Sequence, residues 1–315
     1  MASFINVSGL TYSGKEIQKI FSEDVYNLDL RSYGITLMDG IKGKTKIYNG
    51  EIGDMLMPYT CPFTPNGAVS LDEAYITPAA IKSNLEECYD VFWNNFLVDQ
   101  TSITLNGGVP ATFGEWFFAK YREKLNREYQ EIFWAGDTTR TATTKTYLKV
   151  VDGVEKQLAD SSATTKIEGA AITVDNVIAQ VEAVINSGLS VAGAAEVATD
   201  GWKVFMNYQD VRLLEVALGK LCCPNAQSIF SNYAKNGNSI VIMGYEIQPT
   251  MQSRNKIIFG PAANLVLGFD TYDSHLEYKF IDMRDTTGDN MFRIIAISNI
   301  AVGIILPALF TISEP

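Results

Sequence analysis

Hydrophobic and polar residues repeat along this chain with a period that changes from region to region, and each change predicts a different kind of element. Residues 1–76 show little periodicity and many turn formers, among them Gly34, Gly40, Gly43, Gly50, Pro58, Pro62 and Asn66-Gly67. They read as an arm (1–34) and an extended loop region (35–76), not as a domain. Within the loop, residues 35–37 and 45–48 flank Asp39-Gly40-Ile41-Lys42-Gly43, which predicts a hairpin with a polar tip. Connections longer than about 12–15 residues without structure of their own are usually functional or disordered. Something outside the subunit is therefore expected to organise this region.

Helical spacing begins after Thr77-Pro78, where Ile81, Leu85, Cys88, Phe92 and Phe96 predict one apolar stripe. After Asn106-Gly107-Gly108, the run Thr112-Phe113-Gly114-Glu115 has the form of a capping box, in which hydroxyl and carboxylate satisfy each other's backbone amides. It opens a predicted helix over 112–134, with Trp116, Phe117, Tyr121, Leu125 and Ile132 on one face. Lys120, Glu123, Lys124, Arg127, Glu128 and Glu131 hold the other, and Gly136 ends it. At 1.5 Å per residue this helix is about 34 Å long, the dimension of a strut.

Residues 138–169 are rich in Thr, with β-like runs such as 146–151 ending at Asp152-Gly153. A helix is predicted over 172–186, on Val174, Val177, Ile178, Val181, Val184 and Ile185, closed by Ser187-Gly188. A buried strand at 202–206 follows, and Asn207 caps a helix carried by Val211, Leu214 and Leu218 that Gly219 stops. The last third reads as strands at 239–248, 256–260, 264–269 and 275–283, then a turn at 285–289, a strand at 292–297 and a closing apolar pair. Helices mixed with strands in this order make an α+β fold.

Composition narrows the function. Of 315 residues 47% are hydrophobic and 19% charged, which excludes disorder, collagen and coiled coil and allows a sizeable core. With 25 basic and 36 acidic side chains the net charge is −11, the opposite of what a phosphate-gripping protein needs. Cys61, Cys88, Cys222 and Cys223 form no CxxC and no disulfide framework, so a reducing compartment is expected, and the Asn6-Val7-Ser8 sequon carries no weight. The uncharged stretch 294–312 approaches membrane-spanning length, but its β-branched residues, Gly303 and Pro307 favour two buried strands with a break.

Chemistry is sparse. His275 is the single histidine and falls on the polar side of its predicted strand, with Glu277 and Lys279, opposite Leu276, Tyr278 and Phe280. Gly43-Lys44-Thr45 lacks the first glycine of a phosphate-binding loop, because that position is Met38. Glu86-Glu87, Asp72-Glu73 and the group Asp282, Asp285 and Asp289 have neither acid/base partners nor calcium-loop spacing. No catalytic, cofactor-binding or metal-ligating residue is assigned, and no cofactor is expected.

Three segments resemble the major capsid proteins of tailed bacteriophages: Ile132-Phe133-Trp134-Ala135-Gly136-Asp137 at the exit of the long helix, the strand-then-helix at 201–219, and the run 256–312 with Asn264-Leu265-Val266-Leu267-Gly268, Arg293 and Pro307. The resemblance implies the Hong Kong 97-type capsid fold: an N-terminal arm (1–34), an extended loop (35–76), a peripheral domain (77–170) with a spine helix at 112–134, an axial α/β domain (171–268), and C-terminal strands (269–315) returning to the peripheral sheet. It implies a structural protein that self-assembles through pentamers and hexamers into an icosahedral shell around double-stranded DNA. Portal, scaffolding and head-decoration proteins are the implied partners, DNA is adjacent but not clamped, and no membrane is involved. The location implied is the virion capsid, assembled in the host bacterial cytoplasm. Because the sequence starts at Met1, no cleaved N-terminal segment is expected, and no Lys–Asn pair for a cross-link is identified. Lys42, Lys44 and Lys46, at the predicted hairpin tip, are expected to meet carboxylates of a neighbouring subunit. An encapsulin-like compartment and a membrane-anchored surface protein using 294–312 are the alternatives.

Overall fold

The computed structural model describes residues 29–52, 56–59, 69–91, 97, 113–141, 144–194, 198–220, 240–270 and 278–315. The residues 1–28, Cys61, Phe92, Phe96, Asn106, Thr112, Cys222, Cys223 and His275 lie outside them, and with them the sequon, the capping box and the expected solvation of His275. In chain order the elements are α1 (Asp29–Ser32), β1 (Thr36–Asp39), β2 (Thr45–Ile52), β3 (Val69–Ile76), β4 (Ala79–Cys88), α2 (Phe113–Ala135), α3 (Val154–Asp160) and β5 (Thr165–Glu168). Then come α4 (Val177–Ala194), β6 (Trp202–Asn207), α5 (Tyr208–Lys220), β7 (Ile240–Ile242), β8 (Tyr245–Thr250), β9 (Ile257–Pro261), β10 (Leu265–Asp270), β11 (Tyr278–Asp282), α6 (Met283–Thr286), β12 (Met291–Ile304) and β13 (Thr311–Glu314).

The long helix α2 matches its expected span to within one residue at each end. It packs on a sheet whose axis is β12, a single strand of 14 residues where a shorter strand and the start of an apolar pair were expected. One edge of β12 carries β4, from Cys88 opposite Met291 to Ala79 opposite Ile300. The other carries β10 and β11 in line, and β1 runs parallel to β10 outside them. Phe117 of α2 stacks edge-on against Phe292 with centroids 4.8 Å apart, Tyr121 donates to the Ser83 hydroxyl at 2.7 Å, and the Tyr129 and Ser298 hydroxyls pair at 3.0 Å.

Two expectations fail in this sheet. The segment from Ile81 to Cys88 is strand, not helix. Ile81 and Leu85 are four apart, a spacing that suits both periods, and the exposed Lys82, Asn84 and Glu86 settle it as a two-residue alternation. Cys88 therefore sits at a strand end, where its thiol donates to the Asn290 carbonyl at 3.3 Å. Nor do residues 35–37 and 45–48 pair with each other: β1 pairs with β10, from Thr36 opposite Val266, and β2 pairs with β3. A buried Ile41, whose amide donates to the Phe269 carbonyl at 3.0 Å, ties the intervening segment to the sheet.

The second sheet has the order β5-β13-β9-β6-β8-β7. Its β7–β8 hairpin replaces one expected strand over 239–248, because Met243 and Gly244 both adopt positive φ (54° and 88°) and form a two-residue turn. Helix α4 covers this sheet and runs to Ala194, past the expected stop at Ser187-Gly188. Gly188 serves packing instead: a Cβ there would lie 2.3 Å from Cδ1 of the buried Phe259. We expect Gly188→Ala to lower subunit stability by about 1–2 kcal/mol in urea unfolding, as crowding of about 1–3 kcal/mol outweighs the helix preference of Ala. A rise in stability would mean that the ring moves aside freely. Asn207 caps α5 as expected, accepting from the Gln209 amide at 2.9 Å.

The expected return of 269–315 to the sheet under α2 divides at Pro307. Strands β11 and β12 stay in that sheet, whereas β13 crosses to the second, parallel to β5 and antiparallel to β9. One core spans both sheets, with Leu265, Leu267 and Ile300 from the first, Phe205 and Ile258 from the second, Phe310 just before β13, and Ile132, Phe133 and Trp134 of α2. Where β structure was expected, residues 146–149 form a short 3-10 helix, and α3 follows from Gly153. Gly136 and Gly153 press together there, with the Gly153 amide donating to the Gly136 carbonyl at 2.9 Å.

Candidate assembly surfaces

Strands β2 and β3 form a sheet of their own, from Thr45 opposite Ile76 at the base to Ile52 opposite Val69. Eight paired residues extend about 27 Å at the usual rise of a strand. The base is anchored: Ile76 is buried with Val266 and Ala301, and it fills the space where a Cβ on Gly303 would come within 2.5 Å of it. Beyond the base, Tyr48 is 59%, Leu56 95% and Tyr59 93% exposed. A lone two-stranded ribbon is marginal in water.

The expected contact lysines lie at the base of this hairpin, not at its tip. Lys46 donates to Glu73 at 2.8 Å, the Tyr75 hydroxyl donates to the same oxygen at 2.6 Å, and the Lys44 ammonium stands 4.3 Å from the centre of the Tyr75 ring. Hydrogen bonds from Lys46 and Tyr75 hold the Glu73 carboxyl below its usual range, and the bond to Glu73 raises the Lys46 ammonium. Lys42 is exposed on the segment joining β1 to β2. The partner strand β3 escaped the sequence reading, although its alternation of Val69, Ser70, Leu71 and Asp72 is a strand signal.

On α2 the charged face is exposed at Lys120, Glu123, Lys124 and Arg127, but its last member is not. Glu131 is buried, taking Lys145 at 2.5 Å and the Tyr147 hydroxyl at 2.6 Å. Burial opposes its ionisation, but those two hydrogen bonds outweigh burial and keep the carboxyl below its ordinary value of 4.5. A depressed carboxyl stabilises the fold above its unfolded-state value and stops doing so as pH falls through the native one. Wild type should exceed Glu131→Gln by about 1–2 kcal/mol at pH 7, with the gap closing below about pH 4 in urea titrations. A gap independent of pH would show that the ionised form is not what α2 and the 3-10 turn share.

A second buried ionic group ties α3 to the turn before β9. Glu155 accepts from the Ser253 amide and lies 3.5 Å from Lys256, which also reaches Glu314 of β13 at 2.8 Å. Burial pushes the Glu155 carboxyl up despite these partners. Asp210 of α5, fully buried, accepts from the Asn255 amide at 2.8 Å and from Arg254 at 3.2 Å. Neither group is readable from spacing, because each joins segments far apart in the chain. Among the described residues no three His, Cys, Asp or Glu side chains converge to hold a metal ion, and no helix is long and apolar enough to cross a membrane.

No family model and no curated protein matches the sequence. Solved structures do match the fold. A chain of the satellite phage P4 procapsid superposes with a TM-score of 0.59 at 9% identity, covering 95% of this chain and 98% of its own. The fold is that of a phage capsid subunit. The capsid of Myoviridae phage XM1 agrees with a TM-score of 0.56 at 13% identity over 91% of each chain. That of a native GTA particle gives 0.54 at 11% identity, over 91% of this chain and 89% of the other. Coverage this complete takes in the capsid fold as a whole, including the α+β arrangement of both sheets. The membrane-helix alternative finds no counterpart, since 291–304 and 311–314 are strands.

Proposed function

We propose that this chain is the major capsid protein of a tailed bacteriophage, assembling with copies of itself into the icosahedral shell that encloses a double-stranded DNA genome. The observation that carries the proposal is the likeness in fold to a procapsid chain over nearly the full length of both. The hairpin supports it independently, because a two-stranded ribbon that carries an exposed Tyr48 is marginal alone in water and gains from a neighbour. In this reading the sheet under α2 is the peripheral domain, the sheet under α4 is the axial domain, and the β2–β3 hairpin reaches over a neighbour within pentamers and hexamers.

The role is structural rather than enzymatic. Lys42, Lys44 and Lys46 flank the root of the hairpin and serve the contact by fixing its exit angle, with Lys42 directed to a neighbour's carboxylates. The shell is built in the host cytoplasm, with portal, scaffolding and decoration proteins as its partners. A net charge of −11 keeps the shell from adhering to DNA over most of its surface. Sedimentation velocity tests the proposal: rings and closed particles are expected, whereas a compact 34.7 kDa monomer under every condition would sink it.

A further inference from the structure

A cleft of about 460 Å³ opens between the C-terminal half of α2, Arg140 with residues 144–148, and the start of α5 with the turn before β9. Four cationic side chains converge on it, Arg127, Arg140, Lys145 and Arg254, in a chain of net charge −11. Three acids answer them: Glu131 in the cleft, Asp210 beneath Arg254, and Asp137 beside Arg140. Four against three leaves the cleft positive where the chain as a whole is negative.

The geometry of the arginines matters more than the sum. A guanidinium carries five N–H donors in a planar fork. Arg254 directs two groups, Nε at 3.3 Å and Nη2 at 3.2 Å, to one oxygen of the buried Asp210, which fixes its plane. Arg127 stands 3.6 Å from Glu131 and Arg140 stands 4.0 Å from Asp137, both beyond hydrogen-bond length. The resident carboxylates thus balance charge without saturating the donors. Tyr208, more than a third exposed, lines the same cleft.

We propose that this cleft binds a phosphate group, held by Arg127, Arg140 and Arg254. Phosphate fits better than a carboxylate because it offers more acceptor oxygens to several forks at once and carries up to two negative charges. Its source is either free phosphate or the phosphodiester of a nucleic acid strand, for which Tyr208 supplies a stacking face. Assembly is not required: the cleft lies within one subunit, so the site stands or falls separately from the shell reading.

The test uses the full-length, unassembled subunit with three probes: inorganic phosphate by titration calorimetry, a short labelled oligothymidylate by anisotropy, and an oligoglutamate peptide of equal charge. Wild type is expected to bind a phosphate probe, and Arg127→Gln/Arg140→Gln to bind it about tenfold or more weakly with an unchanged thermal midpoint. For the oligonucleotide the slope of log affinity against log salt should shrink by about 1.4, two contacts at about 0.7 each. Should the double variant misfold, Arg140→Gln alone, whose ion pair is long, gives the same comparison. An oligonucleotide at least about tenfold tighter than phosphate assigns the phosphodiester, and equal affinities assign free phosphate. The proposal is overturned if wild type binds neither phosphate probe, if the folded variants bind like wild type, or if the peptide binds as tightly as the phosphate probes.

Discussion

Replacing residues 48–73 by a short Gly-Ser linker is expected to yield a folded subunit that no longer closes into shells. Ile47 and Ala74 face each other across the ladder, so a turn joining them leaves the anchored base, with Ile76 against Val266 and Ala301, in place. The removal takes away Glu73 and its exposed bonds to Lys46 and Tyr75, and should change subunit stability by no more than about 1 kcal/mol. Assembly should respond far more strongly, because the same contact recurs at every symmetry-related interface and each small loss is multiplied. Cutting at 39–46 would be a poor experiment. Asp39 belongs to β1 and Ile41 is buried beside Gly268, so misfolding alone would abolish particles. Circular dichroism matching wild type together with closed particles of normal size would remove the hairpin from the assembly contact.

The second large effect is expected inside the subunit, at Gly153. Its backbone (φ −77°, ψ 179°) is open to any residue, so conformational freedom is not what requires glycine. A Cβ would lie 2.7 Å from the Gly136 nitrogen and 2.8 Å from the carbonyl oxygens of Ile132 and Phe133. These are backbone atoms at the end of α2, and they cannot rotate away as a side chain does. Ile132, Phe133 and Trp134 sit in the core shared by both sheets, so any shift of this helix end disturbs it. Gly153→Ala should therefore cost about 3 kcal/mol or more, in the upper range of overpacking, and leave the protein largely insoluble. Gly40→Ala is the contrast: φ is +79° but no atom lies within 4 Å, so only the left-handed backbone is penalised, by about 1 kcal/mol. Equal costs in thermal melts would contradict this assignment.

What could be read in the sequence follows the range of the interactions involved. Helix α2 declares itself through six turns of consistent apolar spacing, and α5 through Asn207, whose cap bond is local. Strand β4 looks helical in the sequence because Ile81 and Leu85 satisfy two periods at once, although Lys82, Asn84 and Glu86 carry the deciding alternation. Helix α3 is seven residues long and opens at Gly153 without a side-chain cap, so nothing local announces it. The pairing of β1 with β10 depends on a partner in the far half of the chain, and a tight local hairpin was the simpler reading of the same residues. Gly188 reads as a helix stop because a sequence does not show Phe259 lying against it. The buried acids Glu155 and Asp210 look like surface charges until Lys256, Arg254 and the turn amides are brought to them by the fold.

Electron microscopy of the purified full-length protein tests the central claim most directly. The shell reading predicts closed, icosahedral particles of uniform diameter, with pentameric and hexameric rings as the smaller species and the β2–β3 hairpin of each subunit lying on its neighbour. Fields of isolated subunits, or open aggregates without rings at any concentration or salt, would contradict it.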